Sequence, residues 1–269
     1  MKLLKNLFVG MILGISNVIP GVSAGTMAVV FGIYDDLIEA VSLKIEAIKR
    51  NWRFLVVLAV GMGLGILLFS NAIRYLFDNF NIATNFFFMG IVIGSCPMIL
   101  HKAKGERLKP KNILPFLITL TLMIGMFLFN PAEASTVTTS LSVGNFFYLL
   151  FVGALSAFSM IIPGISGSFI MLTLGAYNTV ITAVSDLNVP ILIPVAIGCV
   201  IGILGGAKLV SRLMAKHPQA TYLAIFGLVL GSLLQLYPGF AFTWEGLLAV
   251  VVFVGGMAVS FFMGRGEPA

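Results

Sequence analysis

Two short stretches hold hydroxyls and glycines directly behind a proline-glycine pair. One reads Pro20-Gly21-Val22-Ser23-Ala24-Gly25-Thr26, the other Pro163-Gly164-Ile165-Ser166-Gly167-Ser168. The chemistry open to such a stretch is anion binding. Proline lacks an N–H and glycine permits a sharp reversal, so Pro20, Gly21, Pro163 and Gly164 read as structural hinges. The serine that follows is suited to cap a returning half-helix. That half-helix begins with free N–H groups and the positive end of its dipole. Ser23, Thr26, Ser166 and Ser168 add hydroxyl donors, Gly25 and Gly167 let a ligand approach the backbone, and Ala24 completes the first binding tip. Two such tips meeting at mid-membrane would form a substrate site for an anion. The competing reading is a pair of kinked helices whose serines cap backbone and bind nothing. The duplication of the hydroxyl cluster favours the site.

Other polar residues lie within or beside apolar runs. Arg74 stands toward the end of one run, and Lys208 and Arg212 at the matching end of another, where Asn71 aligns with Lys208 and Tyr75 with Arg212. Each cation is a candidate partner for an anionic headgroup, with arginine able to bind it bidentately. Snorkelling to the membrane interface explains them equally well. Asn17 is a candidate polar contact or a helix–helix hydrogen bond. Asp35, Asp36 and Glu39 follow the first tip and read as interfacial, with proton coupling as the smaller alternative. His101 and His217 fall in loops away from the tips, which leaves nucleophilic or general-base chemistry without a candidate. No P-loop and no His-Glu-x-x-His set occurs, so no nucleotide, metal or other cofactor is expected. The two cysteines, Cys96 and Cys199, read as small buried hydrophobes.

The elements that carry these residues are membrane helices. Of 269 residues, 59% are hydrophobic and 10% charged, too little charge to cover a soluble domain. Apolar runs recur along the whole length, giving an all-α polytopic membrane protein. The net charge of +6 lies between the apolar runs, where it orients the chain in the bilayer and gives no reason to expect nucleic acid. The N-terminus resembles a cleavable signal, with Lys2 and Lys5 before the run 7–19, but the same motif recurs deep inside the chain and argues against removal.

The recurrence covers nearly the whole sequence. Residues 14–41 and 157–184 share Ser-x-x-Ile-Pro-Gly-[Val/Ile]-Ser, then eight residues, then Gly-x-Tyr, without a gap. Residues 58–67 match 195–204, and 83–95 match 220–232. The chain therefore divides into repeats 1–134 and 135–269, a pattern typical of transporters. After its broken stretch each repeat has three apolar runs, about 54–77, 83–100 and 113–129 in the first and 191–211, 221–237 and 246–263 in the second. Gly61-x3-Gly65, Gly90-x3-Gly94, Gly198-x3-Gly202 and Gly227-x3-Gly231 read as close helix packing.

Loop charge sets the expected orientation. The N-terminus and loops 42–53, 101–112 and 208–217 are rich in Lys and Arg, whereas loops 130–143, 185–190 and 238–245 carry only Glu133, Asp186 and Glu245. The basic set should be cytoplasmic, with both termini inside. Stretches 7–41 and 144–184 must then each enter and leave on one face, as re-entrant helical hairpins. Three full crossings per repeat make the two repeats inverted in topology.

With these motifs in place, "PGVSAGTMAVVFGIYDDLI" and "PGISGSFIMLTLGAYNTVI" resemble the paired motifs of the PopT-type undecaprenyl-phosphate translocase family, and the likeness extends to "GLVLGSL" near the end. The family usually shows Gly-Gly-Thr after the first serine, where this chain has Ala24-Gly25-Thr26. The resemblance implies a transporter in the bacterial cytoplasmic membrane. It would flip the polyprenyl-phosphate carrier from the outer to the inner leaflet, for reuse in peptidoglycan and other cell-wall polymers. It implies no enzyme activity. The residues alone leave open a secondary transporter of a small soluble anion, and less favourably a lipid-diphosphate phosphatase or a structural scaffold.

Overall fold

The computed structural model describes residues 2–18, 23–41, 45–104, 112–129, 141–240 and 242–264. These form helices α1 (Lys2–Val18), α2 (Ala24–Val30), α3 (Tyr34–Val41), α4 (Ile45–Asn79), α5 (Asn81–Lys104), α6 (Ile113–Leu128), α7 (Val143–Ile161), α8 (Gly167–Thr173), α9 (Tyr177–Ser185), α10 (Val189–Lys216), α11 (Pro218–Leu236) and α12 (Trp244–Gly264). No strand occurs among the described residues. Six stretches, within α4, α5, α7, α10, α11 and α12, are long and apolar enough to cross a membrane. The chain is an all-α, multi-pass membrane protein. Helix α6 has 16 residues, about 24 Å of rise, so it spans only with local thinning of the bilayer.

Several helices run further than the apolar runs alone suggest. Helix α4 begins at Ile45 and takes in most of the basic segment 42–53. Helix α5 continues to Lys104, so His101 and Lys102 are helical and not in a loop. Helix α10 runs on to Lys216. Charged side chains at membrane edges keep helical backbone because their heads reach water while their stems stay against the bundle.

Each broken stretch has a long first arm and a short return that is itself folded. The return consists of α2 and α3 in one repeat and of α8 and α9 in the other, and α8 and α9 meet at 115°. The shared Gly-x-Tyr makes this second corner. Gly32 and Gly175 have φ of 72° and 75°. The amides of Gly32 and Ile33 bond the carbonyls of Val29 and Ala28, and those of Gly175 and Ala176 bond Leu172 and Met171. This is the Schellman pattern, with glycine where a left-handed residue ends the helix. Tyr34 and Tyr177 then open the next helix. A simple two-armed hairpin, the expectation from the sequence, lacks this corner.

The small-residue motifs set the helix pairs. A methyl group on Gly10 would lie 2.6 Å from the Leu58 carbonyl oxygen, and one on Gly65 2.1 Å from that of Met11. Helices α1 and α4 are therefore in backbone contact and run parallel. Their repeat mates do the same: Gly198 and Gly202 meet the carbonyls of Leu150 and Ala154, joining α10 to α7 in parallel. Gly90 and Gly94 of α5 pack on Phe253 and Met257 of α12, and Gly227 and Gly231 of α11 pack on Phe116 and Met123 of α6. Helix α12 thus docks on α5 and α6 on α11, each contact joining the first half of the chain to the second. Side chains tie the same pairs at their ends. Glu245 accepts from the amide of Ile82 at 2.8 Å, and Asn112 donates to Gln219 at 2.5 Å. Buried serines also match across the repeats. Ser16 and Ser159 donate to the carbonyls of Leu13 and Ser156, and Ser95 and Ser232 to those of Val92 and Val229, all at 2.7 Å.

Candidate functional site

The second break is built from backbone that only its sequence permits. Helix α7 ends at Ile161, and Pro163, Gly164 and Ile165 are buried. Gly164 has φ +87°, and a β-carbon on it would sit 2.6 Å from the carbonyl oxygen of Leu228 in α11. Glycine is needed there both for the left-handed conformation and for the close approach. Pro20 and Gly21 lie outside the described residues.

The two serines after the breaks have nearly the same backbone. Ser23 has φ −94° and ψ 133°, and Ser166 φ −90° and ψ 132°. Both take the N-cap position, and their carbonyls accept from Met27 at 3.1 Å and Ile170 at 3.3 Å. Neither hydroxyl caps the half-helix, which corrects the expectation that they do. The Ser166 hydroxyl instead meets that of Ser168 at 2.7 Å. A serine spared from capping keeps its hydroxyl available to something else.

The breaks come together. The Gly164 amide donates to the Thr26 hydroxyl at 2.7 Å in a buried position. A β-carbon on Gly25 would be 3.0 Å from the Met160 carbonyl oxygen and 3.4 Å from Pro163. Tyr34 donates its phenol proton to the Ile161 carbonyl at 2.9 Å, which satisfies an acceptor freed where α7 stops. Gly167 sits against α7, where a β-carbon would lie 2.8 Å from the Met160 side chain and 3.0 Å from the Ser156 carbonyl oxygen. Among the expected site residues, Gly25, Thr26, Pro163, Gly164 and Gly167 thus gather around the last turns of α7.

The two half-helices differ sharply in exposure. Residues Gly25 to Val30 of α2 are all buried, whereas α8 buries only Gly167. Ser23 is 6% exposed and its counterpart Ser166 half-buried, while Gly25 is buried and its counterpart Ser168 exposed. Ala24 is half-buried. The sequence repeats, and the burial does not.

The expected cations do not gather at the tips. Lys208 and Arg212 are exposed on α10. The side chains of Arg74 on α4 and Asn17 on α1 lie outside the described residues. Asp36 is exposed on α3, and Glu39 pairs with Arg50 of α4, an exposed ion pair of little stabilising effect.

Asp35 has stronger partners, which the sequence reading missed. Its Oδ2 accepts from the Lys102 ammonium of α5 at 2.8 Å and from the Tyr222 phenol of α11 at 2.7 Å. Its Oδ1 is buried with no hydrogen-bond partner among the described residues. Lys102 falls in the segment that reads as a basic loop, 101–112, but lies in the last turns of α5. The signal was its spacing, since three residues from Ile99, which is 1% exposed, places Lys102 on the same helix face.

Residues 13–249 match the family described as undecaprenyl phosphate translocase-like. A polyprenyl-phosphate transporter of Staphylococcus aureus is 32% identical, over 97% of this chain and 95% of its own. A polyprenyl-phosphate transporter of Vibrio cholerae is 29% identical, over 88% of this chain and 79% of its own. No solved structure matches. These relatives are named as transporters and not as enzymes. With one family spanning both breaks and the helices between them, the chain belongs to the undecaprenyl phosphate translocase-like family.

Proposed function

We propose that this chain carries polyprenyl phosphate across the bacterial cytoplasmic membrane. The lipid moves from the outer to the inner leaflet by alternating access, and returns a carrier used in cell-wall polymer synthesis. The phosphate head passes the paired breaks while the isoprenoid tail stays in lipid. The observation that carries this reading is the Thr26–Gly164 bond, which joins the tips of the two repeats at one point. Around it lie hydroxyls that cap nothing, with Ser166 and Ser168 on the open side. Hydroxyl and amide donors of this kind suit a phosphate monoester.

The helix directions support two inverted repeats, 1–134 and 135–269. Because α1 lies parallel to α4, the chain must return to its starting face between them, as a re-entrant segment does; α7 and α10 repeat the relation. Helices α5 and α11 hold equivalent places in the two repeats. Lys102 lies near Tyr222, and Phe86 near Tyr237, so these two helices run antiparallel. Loop charges favour cytoplasmic termini. Protons are a candidate coupling ion.

The test is leaflet exchange of polyprenyl phosphate by purified protein in liposomes. Exchange should require the protein and should be lost in Ser23→Ala with Ser166→Ala, and in Arg74→Ala, each of which should still insert. Absence of exchange with or without a proton gradient would sink the lipid reading and favour a small soluble anion.

A further inference from the structure

We propose that Lys102 and Tyr222 form a separate phosphate-binding pair, and that Asp35 occupies it in the present arrangement as an internal stand-in for the phosphate. This rests on the reading of the chain as a carrier of phosphate lipid.

The donors converge as they would on a ligand. An ammonium from α5 and a phenol from α11 meet one carboxylate oxygen, at 2.8 and 2.7 Å. The ammonium also lies 5.8 Å from the centre of the Tyr222 ring. Charge-assisted donors on a single oxygen are how a phosphate oxygen is held. The carboxylate satisfies this pair incompletely, because Oδ1 is buried without a partner among the described residues. The pair itself is partly exposed, at 38% for the Asp35 side chain and 31% for that of Lys102, so what sets it apart is the one covered oxygen left without a donor. A phosphate monoester brings more charge and more acceptor oxygens to the same donors.

The acceptor and the donors belong to different parts of the fold. Lys102 and Tyr222 stand on α5 and α11, which are locked to α12 and α6 by glycine contacts. Asp35 stands on α3, eight residues long, tied through the Gly32 corner to the half-helix that meets Gly164. Movement of the first tip therefore withdraws Asp35 and uncovers the two donors. The other repeat has no such trap: Tyr222 corresponds to Asn85, and Asp35 to Asn178. A charged station at one end of a duplicated path gives that path a direction. Val29, Met98 and Ile99 line a cavity of about 10 Å³ beside the pair, so a phosphate head enters only as Asp35 withdraws.

The experiment measures binding of geranylgeranyl phosphate to the purified full chain, with inorganic phosphate and the unphosphorylated alcohol as separate ligands. Asp35→Asn should tighten binding of the lipid phosphate about fivefold or more, by removing the competitor. Lys102→Gln should weaken it at least about tenfold, as expected for a lost bond to a charged group. Tyr222→Phe should weaken it about threefold, and Lys102→Arg should retain it if Lys102→Gln fails to fold. A plain structural latch breaks equally from either side, so Asp35→Asn and Lys102→Gln shifting binding in the same direction overturns the proposal. Equal binding of the alcohol in all variants overturns it too. Wild-type leaflet exchange combined with either result would spare the transport reading and remove only this site. Should the wild type exchange no lipid while Asp35→Asn gains a Lys102-dependent affinity for inorganic phosphate, the site stands for free phosphate and the lipid reading falls.

Discussion

The amide of Gly164 and the hydroxyl of Thr26 are joined at 2.7 Å, across the boundary between the two repeats and out of reach of solvent. Thr26→Val keeps the shape of the side chain but removes the acceptor, leaving a buried N–H unpaired at a cost of about 1–3 kcal/mol. Thr26→Ser retains the oxygen and should stay close to wild type. Thermal unfolding in detergent reads the difference. A valine variant as stable as the parent would mean that the bond does not hold the tips together.

Glycines at two places should respond with opposite sign. Gly164→Ala introduces a methyl group 2.6 Å from the Leu228 carbonyl at φ +87°, and the left-handed conformation alone costs an L-residue about 1–2 kcal/mol. Gly205 of α10 has nothing within 4 Å of such a methyl, so Gly205→Ala should gain up to about 1 kcal/mol of helix propensity. The same melting experiment compares them. Equal behaviour of the two variants would contradict the packing at the second break.

Much of this fold is written in the sequence because membrane helices announce themselves by length. The second Pro-Gly-x-Ser and the four Gly-x3-Gly motifs also map onto a real corner and real close contacts. The corner at Gly32 and Gly175 was present in the shared Gly-x-Tyr, but a glycine in an apolar run can serve packing or a turn, and only its φ decides. The serine hydroxyls failed as caps for a similar reason: an N-cap residue is fixed by its backbone angles, while its side chain remains free to rotate elsewhere. Asp35 with Lys102 and Tyr222 joins three helices distant in sequence. No local pattern reports such a meeting, although the helical spacing from Ile99 did mark the inward face of Lys102. The unequal burial of α2 and α8 was not legible at all, because nearly equivalent sequences in two repeats say nothing of which one is covered.

Glu245 reaches from the first turn of α12 to the amide of Ile82 at the start of α5, at 2.8 Å. The bond acts as a helix cap supplied by the other repeat. Glu245→Ala should cost about 0.5–2 kcal/mol, the usual range for a lost cap. Glu245→Gln keeps an acceptor oxygen and should recover most of it. Hydrogen exchange of the first turn of α5 would locate the effect, and unchanged protection there in Glu245→Ala would speak against the cap.

The difference between Ser23 and Ser168 tests alternation directly. Ser23 is 6% exposed while Ser168 is exposed; Ser23 aligns with half-buried Ser166 and Ser168 with buried Gly25, so each serine reports the cover over its own tip. If the repeats exchange roles during transport, burial must pass from one tip to the other. Single cysteines at the two positions report this through their rates of reaction with a water-soluble maleimide. In the arrangement described here, Ser168→Cys should react at least about tenfold faster than Ser23→Cys, since a covered thiol reacts only in the fraction of molecules that open. A tenfold ratio corresponds to about 1.4 kcal/mol between arrangements, small enough for a ligand that binds them unequally to reverse. Polyprenyl phosphate presented to the reconstituted protein should therefore narrow the ratio by speeding Ser23→Cys and slowing Ser168→Cys together. Movement of only one rate would indicate simple shielding by the lipid. Reciprocal movement requires that opening one tip close the other, which the Thr26–Gly164 junction is positioned to enforce, because the half-helix at Thr26 cannot leave the second break without freeing the backbone that anchors α8.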